Sequence, residues 1–521
     1  MEKHVVGSKI LKKEQVLISI FLIAILVLSS GSMVTFAKTN TYFVKPNGVD
    51  DTAEIQAAFN ACGSRPGCTV QLVAGTYYVG QIAVFGFHGR FVGMGQGVTN
   101  IQALPNLPSP NPADNTDTTP FWAALPTPAS ASTPNPWPAL FTFVNGAFVI
   151  SGMSINEPYT ATTCTSTTPC PTLGWDDAVE GGPSTDTALL SAIIITGETQ
   201  SVTIDHLTVT AATTSNMATA IFDGGLLLPE GWTNLSDETP LAGTFSLTNS
   251  EFTENNPMIY NVVNAVVVVS HTTVEGSPAA LFVQDVSNSK IVATENQGTD
   301  LPIAAAVFAY QSVFKPACTA AITSNCLLPS TIYVTDNNFQ VNQGGSGVAL
   351  IDFGTPSTLS AVVTGNKVET DTSCGCYTVQ YPAILVQGLS SVLVSQNVIL
   401  GGGSGVQLLG GPESVVSGNY ITGTMAGVLL GCGTTLVVPG GTPCFVPTLA
   451  NGVHVIGNVI KNSAQYGIAV VEGSINNKII GNYITGTASS GYDLYWDQTG
   501  TGNVWLGNFC SDHTSSPAAL C

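Results

Sequence analysis

The heptapeptide GNYITGT occurs twice, at Gly418–Thr424 and at Gly481–Thr487, and a looser version, GNVIKN, lies between them at Gly457–Asn462. The Gly-Asn step suits a sharp corner between two strands, because both residues tolerate positive φ. Asn side chains that stack in register can also hydrogen-bond to one another along the stacking axis. The repeated phrase therefore predicts a structural corner and not a catalytic residue.

The same pattern, apolar-x-x-Asn-x-apolar, recurs along the chain with its shorter steps at 22–26 residues. A repeat of this period indicates a stacked array in which longer steps contain insertions. Each unit holds short runs of Val, Ile and Tyr that alternate with Gly, Ser and Thr, which favours strands too short to form a core alone. We predict an all-β fold, a single right-handed parallel β-helix. Its corners are expected at Met153, Leu207, Ser250, Thr272, Glu295, Asn337, Asn366, Asn397, Asn419, Asn458, Asn482 and Asn508.

The N-terminus has the composition of a secretion signal. Lys9, Lys12 and Lys13 precede an apolar run over residues 16–28, and small residues follow up to Ala37. We predict a signal over residues 1–37, with an uncleaved anchor as the less expected reading. The remaining boundaries are predicted as an N-terminal cap with the first strands over 38–103, a Pro-rich inserted loop over 104–138, and the β-helix with disulfide-stapled insertions over 139–521.

The twelve cysteines form six sequential pairs, which an oxidising compartment would join as closed loops. The metal-binding alternative is weaker, because no two CxxC pairs show zinc spacing. The expected pairs are Cys62/Cys68, Cys164/Cys170, Cys318/Cys326, Cys374/Cys376, Cys432/Cys444 and Cys510/Cys521.

Charge limits the partners. The formal net charge is −20, and removal of residues 1–37 would bring it to about −22, which repels nucleic acid, anionic lipid and polyanionic sugars. We expect no nucleic-acid partner, and no membrane partner in the mature form unless the signal is retained. The sequence leaves the oligomeric state open.

Three stretches near the N-terminus carry a family resemblance: DDTAEIQAAFNAC at Asp50–Cys62, VQLVAGTYYV at Val70–Val79 and FVGMGQGVT at Phe91–Thr99. They resemble the N-terminal segment of the pectate-lyase-like superfamily, in particular its pectate lyase 3 or epimerase-like branch. The resemblance implies a helix that plugs the N-terminal end of a β-helix. Asp51 and Glu54 predict a capping box on this helix.

The resemblance also implies which residues and which ion a lyase activity would require. Pectate-type lyases use a basic residue, often Arg, to remove a proton, with Ca²⁺ at the uronate. No Arg follows Arg90 in this chain, and the polygalacturonase-like motifs are absent. A lyase activity is therefore disfavoured.

The insertions flank one strand of each unit, as a binding groove would require. They are expected at Asn156–Thr187, Glu369–Pro382, Asp223–Gly243, Tyr310–Ser330 and Gly431–Asn451. If Val406 and Leu408 face inward, Gln407 faces outward. The same register predicts an outward row of Ile194, Phe222, Tyr260, Phe282, Phe308 and Leu385, which is followed in the C-terminal units by little besides Gln407, Leu429 and Ala469. We take Phe222, Tyr260, Phe282, Phe308 and Tyr310 as substrate-binding candidates, with burial under the inserted loops favoured over direct ligand contact.

Acids follow the same strand in alternate units. Asp223, Asp285 and Asp352 would be separated by roughly 9–10 Å per pair, near the upper limit for an inverting glycosidase. Asp285 and Asp352 are the best acid/base pair, although a single Asp at a strand end is more often a turn residue. A second group in the first long loop, Asp176, Asp177 and Glu180, is a candidate Ca²⁺ site. No cofactor is required.

Three functions agree with these features. The first is a secreted protein that binds, and in the enzymatic version hydrolyses, a neutral or weakly charged extracellular polysaccharide. The second is a non-catalytic carbohydrate-binding protein of the cell surface or matrix. The third is a structural component of the envelope. The fold resemblance favours the first function and the missing catalytic motifs favour the second, which leaves a slight preference for the hydrolase.

Overall fold

Between Glu251 and Trp496, short parallel strands follow one another along the chain, and each pairs with the third strand before it and the third strand after it. In the computed structural model, for example, the strand Ser391–Ser395 pairs with both Leu359–Thr364 and Val415–Ser417. The structure describes residues 40–521, apart from residues 81, 105–138, 158–190, 212–218, 224–240, 254–255, 261, 277–278, 285, 302–306, 312–326, 342–344, 355, 371–380, 433–448 and 512–513. At some further strand positions it describes the backbone alone. Pairing with every third strand builds three parallel sheets around one axis, which is a parallel β-helix, as predicted.

Among the described residues, one α-helix, α1, spans Thr52–Cys62. The strands are β1 Thr41–Val44, β2 Cys68–Leu72, β3 Gly75–Val79, β4 Ile82–Val92, β5 Thr99–Ala103, β6 Ala139–Glu157, β7 Ser191–Ala211, β8 Thr219–Asp223, β9 Leu241–Thr248, β10 Glu251–Thr253, β11 Asn256–Tyr260, β12 Val262–Ser270, β13 Thr273–Glu275, β14 Leu281–Gln284, β15 Lys290–Thr294, β16 Gln297–Leu301, β17 Val307–Gln311, β18 Ser330–Thr335, β19 Asn338–Val341, β20 Val348–Asp352, β21 Leu359–Thr364, β22 Lys367–Thr370, β23 Ile384–Gln387, β24 Ser391–Ser395, β25 Val398–Leu400, β26 Ser404–Leu409, β27 Val415–Ser417, β28 Tyr420–Thr422, β29 Ala426–Leu430, β30 His454–Ile456, β31 Val459–Lys461, β32 Tyr466–Val470, β33 Lys478–Ile480, β34 Tyr483–Thr485, β35 Tyr492–Trp496, β36 Val504–Leu506, β37 Phe509–Cys510 and β38 Ser515–Ser516.

The three sheets meet at the corners of each turn. Sheet A holds the strand before the Asn corner, sheet B the strand after it and sheet C the third strand; from β12 onward these are β12, β13 and β14, then every third strand after each. Strand alternation sends one set of side chains inward. Within one unit, Val455, Ile460 and Ile468 come from the three sheets and are fully buried in the same cluster. One continuous apolar core therefore runs along the axis.

The predicted Asn ladder runs along the corner between sheets A and B. In the unit of Asn458, the side-chain Nδ2 donates to Oδ1 of Asn482 at 2.9 Å and to the carbonyl oxygen of Val416 at 2.9 Å. Its Oδ1 accepts bonds from the backbone N–H and the Nδ2 of Asn419. The same Asn-to-Asn bonding joins Asn296, Asn337, Asn366, Asn397, Asn419, Asn458, Asn482 and Asn508 without interruption.

Two details of the corner differ from the prediction. Positive φ falls on the residue before the Asn and not on the Asn itself, as at Gly457 and Gly481, both at 62°. The corner expected at Glu295 is shifted by one residue: Glu295 takes the positive φ of 56°, and Asn296 occupies the ladder. At each corner, only the residue before the Asn adopts the left-handed backbone conformation. The Asn that follows directs its side-chain amide to the next unit.

The helix α1 caps the core at its N-terminal side, as the family resemblance implied. Its buried Phe59 contacts the rings of Phe87, Phe91 and Phe143 at centroid distances of 5.3, 5.1 and 5.8 Å. The predicted capping box is wrong, since Asp51 makes no side-chain cap bond to the helix.

The carboxylate of Asp51 ties neighbouring chain segments together instead. It accepts the backbone N–H groups of Asn47 at 2.6 Å and Tyr78 at 3.0 Å. The side chain is fully buried, so these two bonds satisfy a carboxylate that a helix cap would have left nearer to solvent.

Two of the six predicted disulfides are confirmed, Cys62–Cys68 at the end of α1 and Cys510–Cys521 at the C-terminal end of the described chain. Cys432 is also disulfide-bonded, and its predicted partner Cys444 lies outside the described residues. The pairs Cys164/Cys170, Cys318/Cys326 and Cys374/Cys376 lie outside them too and stay predictions.

The described residues of Thr41–Cys521 belong to one compact unit. The predicted secretion signal and nearly all of the Pro-rich loop lie outside the described residues, so those boundaries stay predictions. Across the part of the chain that is described, no helix combines the length and apolarity that a membrane crossing would need.

Candidate functional site

The outward face of sheet C is the surface on which the sequence places a groove. Val406 and Leu408 are fully buried in the main core, which confirms that Gln407 between them belongs to the opposite face. Strand pairing then defines the outward row: Phe222, Met258, Phe282, Phe308, Ala349, Leu385, Gln407, Leu429, Ala469 and Tyr495.

Much of this outward row is covered. Phe282, Ala349, Leu385, Gln407, Leu429 and Ala469 are each at most 3% exposed. Ala349 with Leu385, and Leu429 with Ala469 and Val471, form buried clusters separate from the main core. This agrees with the expectation that the row is buried and does not meet a ligand directly. The inserted segments that were expected to cover it lie mostly outside the described residues.

The predicted aromatic row needs a correction. Met258, and not Tyr260, pairs with both Phe222 and Phe282. Tyr260 pairs with Gln284, which in turn pairs with Tyr310, so the two tyrosines share a second row two residues further along the strands. The turn from Ser250 to Met258 is two residues shorter than the turn from Thr272 to Phe282, which accounts for the shift.

Phe222, Tyr260, Phe308 and Tyr310 are described as backbone only, so their role in binding stays a prediction. Of the five aromatic candidates, Phe282 alone has a described side chain, and it is 3% exposed. The register thus brings Phe222, Phe282 and Phe308 into one row with Met258 and separates Tyr260 and Tyr310 from it.

Asp352 has the contacts of a turn residue. Its Oδ1 accepts the N–H of Gly354 at 2.7 Å, and its Oδ2 accepts the hydroxyl of Ser357 at 2.6 Å. The same Oδ2 accepts the N–H groups of Thr358 at 2.8 Å and Leu359 at 2.9 Å. The residue is 0% exposed. Four donors from its own turn engage this carboxylate, so Asp352 has a structural role here, and its assignment as a proton donor or base stays a prediction.

The described backbone does not bring Asp223 into one row with Asp352. The backbone of Asp223 pairs with Ile259, and this row continues through Val283 and Ala309 to Leu350, two residues before Asp352. Asp285 lies outside the described residues, as do Asp176, Asp177 and Glu180. Where side chains are described, no three His, Cys, Asp or Glu come together in a way that could hold a metal ion.

A tyrosine cluster at the C-terminal end of sheet C was missed by the sequence reasoning. The rings of Tyr466 and Tyr495 lie 4.8 Å apart, and those of Tyr492 and Tyr495 lie 5.9 Å apart. Tyr466 and Tyr495 pack against the buried Leu429–Ala469–Val471 cluster, while Tyr492 is 37% exposed. Following the outward row one unit beyond Ala469, to Tyr495, would have found the cluster.

The phenol of Tyr466 in this cluster is neutral over the physiological range. Burial raises the pKa of Tyr466, and the neighbouring Tyr495 and Tyr492 add to the rise. A protonated phenol both donates and accepts a hydrogen bond. The cluster therefore offers apolar ring surface together with hydroxyl groups at one edge of the covered face.

Gln407 contributes a fixed amide to the covered row. Its Nε2 donates to the carbonyl oxygens of Gly431 at 3.0 Å and Cys432 at 3.1 Å, which sets the orientation of the amide. Its Oε1 is buried and has no hydrogen-bond partner among the described residues. Such an acceptor is normally met by water or by a hydroxyl group.

Comparison with known proteins supports the fold. Residues 321–508 match the family model described as a right handed beta helix region. Together with the strand pairing, this confirms the predicted right-handed parallel β-helix. Among curated proteins, no sequence is significantly similar to this chain.

Solved structures resemble the chain at low identity. Tailspike protein 3 of bacteriophage CBA120 is 13% identical, with 89% of this chain and 59% of that chain covered and a TM-score of 0.49, so this chain spans about three fifths of its length. The A-module of the mannuronan C-5 epimerase AlgE6 of Azotobacter vinelandii is 14% identical, with coverages of 89% and 96% and a TM-score of 0.43. The catalytic unit of a GH87 alpha-1,3-glucanase from Streptomyces thermodiastaticus strain HF3-3 is 12% identical, with coverages of 92% and 70% and a TM-score of 0.42.

Proposed function

We propose that the protein binds an extracellular polysaccharide, a neutral or weakly charged glycan, at the C-terminal end of sheet C, where the outward face is not fully covered. The observation that carries this proposal is the tyrosine cluster, where Tyr466, Tyr492 and Tyr495 stand beside the covered row and Tyr492 reaches solvent. Tyrosine presents a ring face to the C–H side of a sugar and a hydroxyl to its OH groups. The net charge of −20 disfavours polyanionic glycans.

Binding without cleavage is favoured over hydrolysis. The carboxylate of Asp352 is engaged by its own turn, which favours a structural role over a role in the pair with Asp285. A hydrolytic version would use Asp285 with Asp352 or with Asp223 as the second acid. Calcium, if bound, would be held by Asp176, Asp177 and Glu180, and it would affect binding by ordering the first long loop.

An extracellular location is part of the proposal. Disulfides persist in oxidising compartments, and Cys62–Cys68 and Cys510–Cys521 both close short loops at the ends of the β-helix. The predicted secretion signal over residues 1–37 points the same way.

Affinity electrophoresis of the full chain in gels that contain neutral or uronate polysaccharides tests the proposal. We expect retardation by a neutral glycan and a loss of affinity of about tenfold for Tyr492→Ala and for Tyr495→Ala. Tyr483→Ala is the matched control, because Tyr483 is a tyrosine of similar exposure, 44%, on sheet B.

Two results would change the assignment. If the Tyr492 and Tyr495 variants bind as the unmodified protein does, the tyrosine cluster is not the glycan contact. If reducing ends are released from the retained polysaccharide and Asp285→Asn abolishes that release, the hydrolytic version replaces the binding version. Repeating the measurement with a calcium chelator tests the ion.

A further inference from the structure

The corner between sheets A and B changes character along the axis. Between the corners at Leu207 and Asn397, the residue at positive φ before the corner usually carries a side chain, as with His271, Glu295, Asp336 and Gln396. In the later units this residue is always glycine: Gly418, Gly457, Gly481 and Gly507. A Cβ at each of these four glycines would meet nothing within 4 Å, so crowding by neighbours does not require glycine there. The later corners therefore carry no side chain at the positive-φ position.

Both rows beside the corner also become apolar toward the C-terminal units, the sheet B row two units before the sheet A row. On sheet A a row of hydroxyls becomes aliphatic: Thr248, Ser270, Thr294, Thr335, Thr364, Ser395, Ser417, then Ile456, Ile480 and Leu506. On sheet B a polar row becomes apolar and aromatic: Glu251, Thr273, Gln297, Asn338, Lys367, then Val398, Tyr420, Val459, Tyr483 and Phe509. We call the second part of both rows, with the glycines between them, the apolar ridge.

The apolar ridge faces solvent. Leu506 is 62% exposed, Phe509 51% and Tyr483 44%. Scattered exposed apolar residues are normal on a protein surface, whereas a contiguous exposed patch marks an interaction site. Because the ridge follows a corner of the β-helix, it projects outward and does not form a groove.

The ring geometry on the ridge disfavours a sugar ligand. The rings of Tyr483 and Phe509 are parallel within 2° at a centroid distance of 4.8 Å, so they stack along the axis and direct their edges outward. The ammonium group of Lys461 lies 5.4 Å from the ring centroid of Tyr420 and occupies a face of that ring. Sugar rings bind to open aromatic faces, and these contacts cover one face of each of the three rings.

Charge on the ridge is opposite to that of the whole protein. Lys461 lies beside the sheet B row, and Lys478 with His454 lies beside the sheet A row. The acids described between residues 391 and 511, Glu413, Glu472, Asp493 and Asp497, lie on sheet C or on the turn from sheet C to sheet A. A chain with a net charge of −20 thus has a projecting apolar edge flanked on both sides by cationic groups.

We propose that the apolar ridge binds an anionic lipid surface. A projecting edge sinks its apolar side chains into the boundary between headgroups and acyl chains, which deforms around it, whereas a rigid flat partner would touch only its apex. The flanking lysines lie at headgroup height, where each favours anionic lipid, and tyrosine suits this interface. The lysines beside the ridge determine its interaction with anionic lipid more than the net charge of the whole protein does, because salt screens the repulsion from protein charges more than about 10 Å away. The ridge is on sheets A and B and does not depend on the glycan site.

Co-sedimentation of the full chain with vesicles of phosphatidylcholine, alone or mixed with phosphatidylglycerol, tests this proposal. We expect the double variant Leu506→Ser/Phe509→Ser to lower the partition coefficient about tenfold or more. Lys461→Gln/Lys478→Gln should reduce binding to the anionic vesicles alone. Val266→Ser is the matched control, because Val266 is 42% exposed on an early strand of sheet A and should leave binding unchanged.

Two outcomes overturn the proposal. One is vesicle binding by the double serine variant equal to that of the unmodified chain, which would assign any binding to the N-terminal apolar run. The other is a dimer in light scattering that the same variant abolishes, which would make the ridge a contact between two copies. If the double serine variant does not fold, Tyr483→Trp provides a second test of the proposal. Brominated lipid should quench the fluorescence of the new tryptophan when the ridge inserts. Unchanged fluorescence emission would refute insertion.

Discussion

Replacement of one ladder asparagine tests how the corner is stabilised. In Asn458→Ala, the backbone N–H and the Nδ2 of Asn419 both lose their buried acceptor, and Val416 loses a donor to its carbonyl oxygen. Asn458 is 0% exposed, so water does not replace these bonds without opening the turn. At about 1–3 kcal/mol for each of two orphaned buried donors, we expect the free energy of unfolding to fall by about 3–5 kcal/mol. That is a large share of the 5–15 kcal/mol typical of folded domains.

Urea unfolding followed by far-UV circular dichroism measures this loss, and hydrogen exchange at the amide of Asn419 reports it locally. Asn451→Ala is the matched control, because Asn451 is exposed in the same unit and accepts one long bond of 3.3 Å from Asn476. Its cost should stay within about 0.5 kcal/mol. A loss below about 1 kcal/mol in Asn458→Ala, with unchanged protection of the Asn419 amide, would refute the view that the ladder stabilises the corner.

Three further predictions concern titratable groups. Asp352→Asn should lower the free energy of unfolding by about 1.5–3 kcal/mol, because an amide cannot accept from both of its ends, and should leave glycan affinity unchanged in affinity electrophoresis. Burial raises the pKa of Tyr77 to about 12, so stability that is complete below about pH 10 should be lost as the pH rises from there toward 12; Tyr77→Phe should flatten this alkaline loss in a pH series of urea titrations. Burial alone would raise the pKa of Asp205, but hydrogen bonds from Asn249, His206 and Thr248 outweigh it and lower the pKa. Stability from Asp205 is therefore present above about pH 4 and lost as the pH falls further, and Asp205→Asn should destabilise the protein at pH 7 while weakening its acid sensitivity.

The proposals for glycan and lipid separate cleanly because they use different sheets. Tyr492 and Tyr495 belong to sheet C, whereas Leu506 and Phe509 belong to sheets A and B. A variant of one site should therefore leave the other ligand bound. If a variant of either site loses both glycan binding and lipid binding, the C-terminal units have unfolded, which the urea titration would detect.

The sequence by itself determined the β-helix, because the features that encode it are local. The Gly-Asn corner repeats at a short period, and each corner sets the inward and outward positions of the strands beside it, as at Val406, Gln407 and Leu408. The capping helix with Ile55 and Phe59 buried, and the disulfides between neighbouring cysteines, were likewise readable from short stretches.

The tertiary structure alone decided which residues of different units meet. Turn lengths between corners vary, and a shift of two residues keeps a side chain on its face while moving it to another row, as happened to Tyr260. A shift of one residue exchanged Glu295 for Asn296 in the ladder. The role of Asp352 depended on donors from the turn that follows it, and the tyrosine cluster on two adjacent units coming together. The alternation of inward and outward residues is encoded in the sequence of each unit, but the register between units is set by the packing of the whole stack.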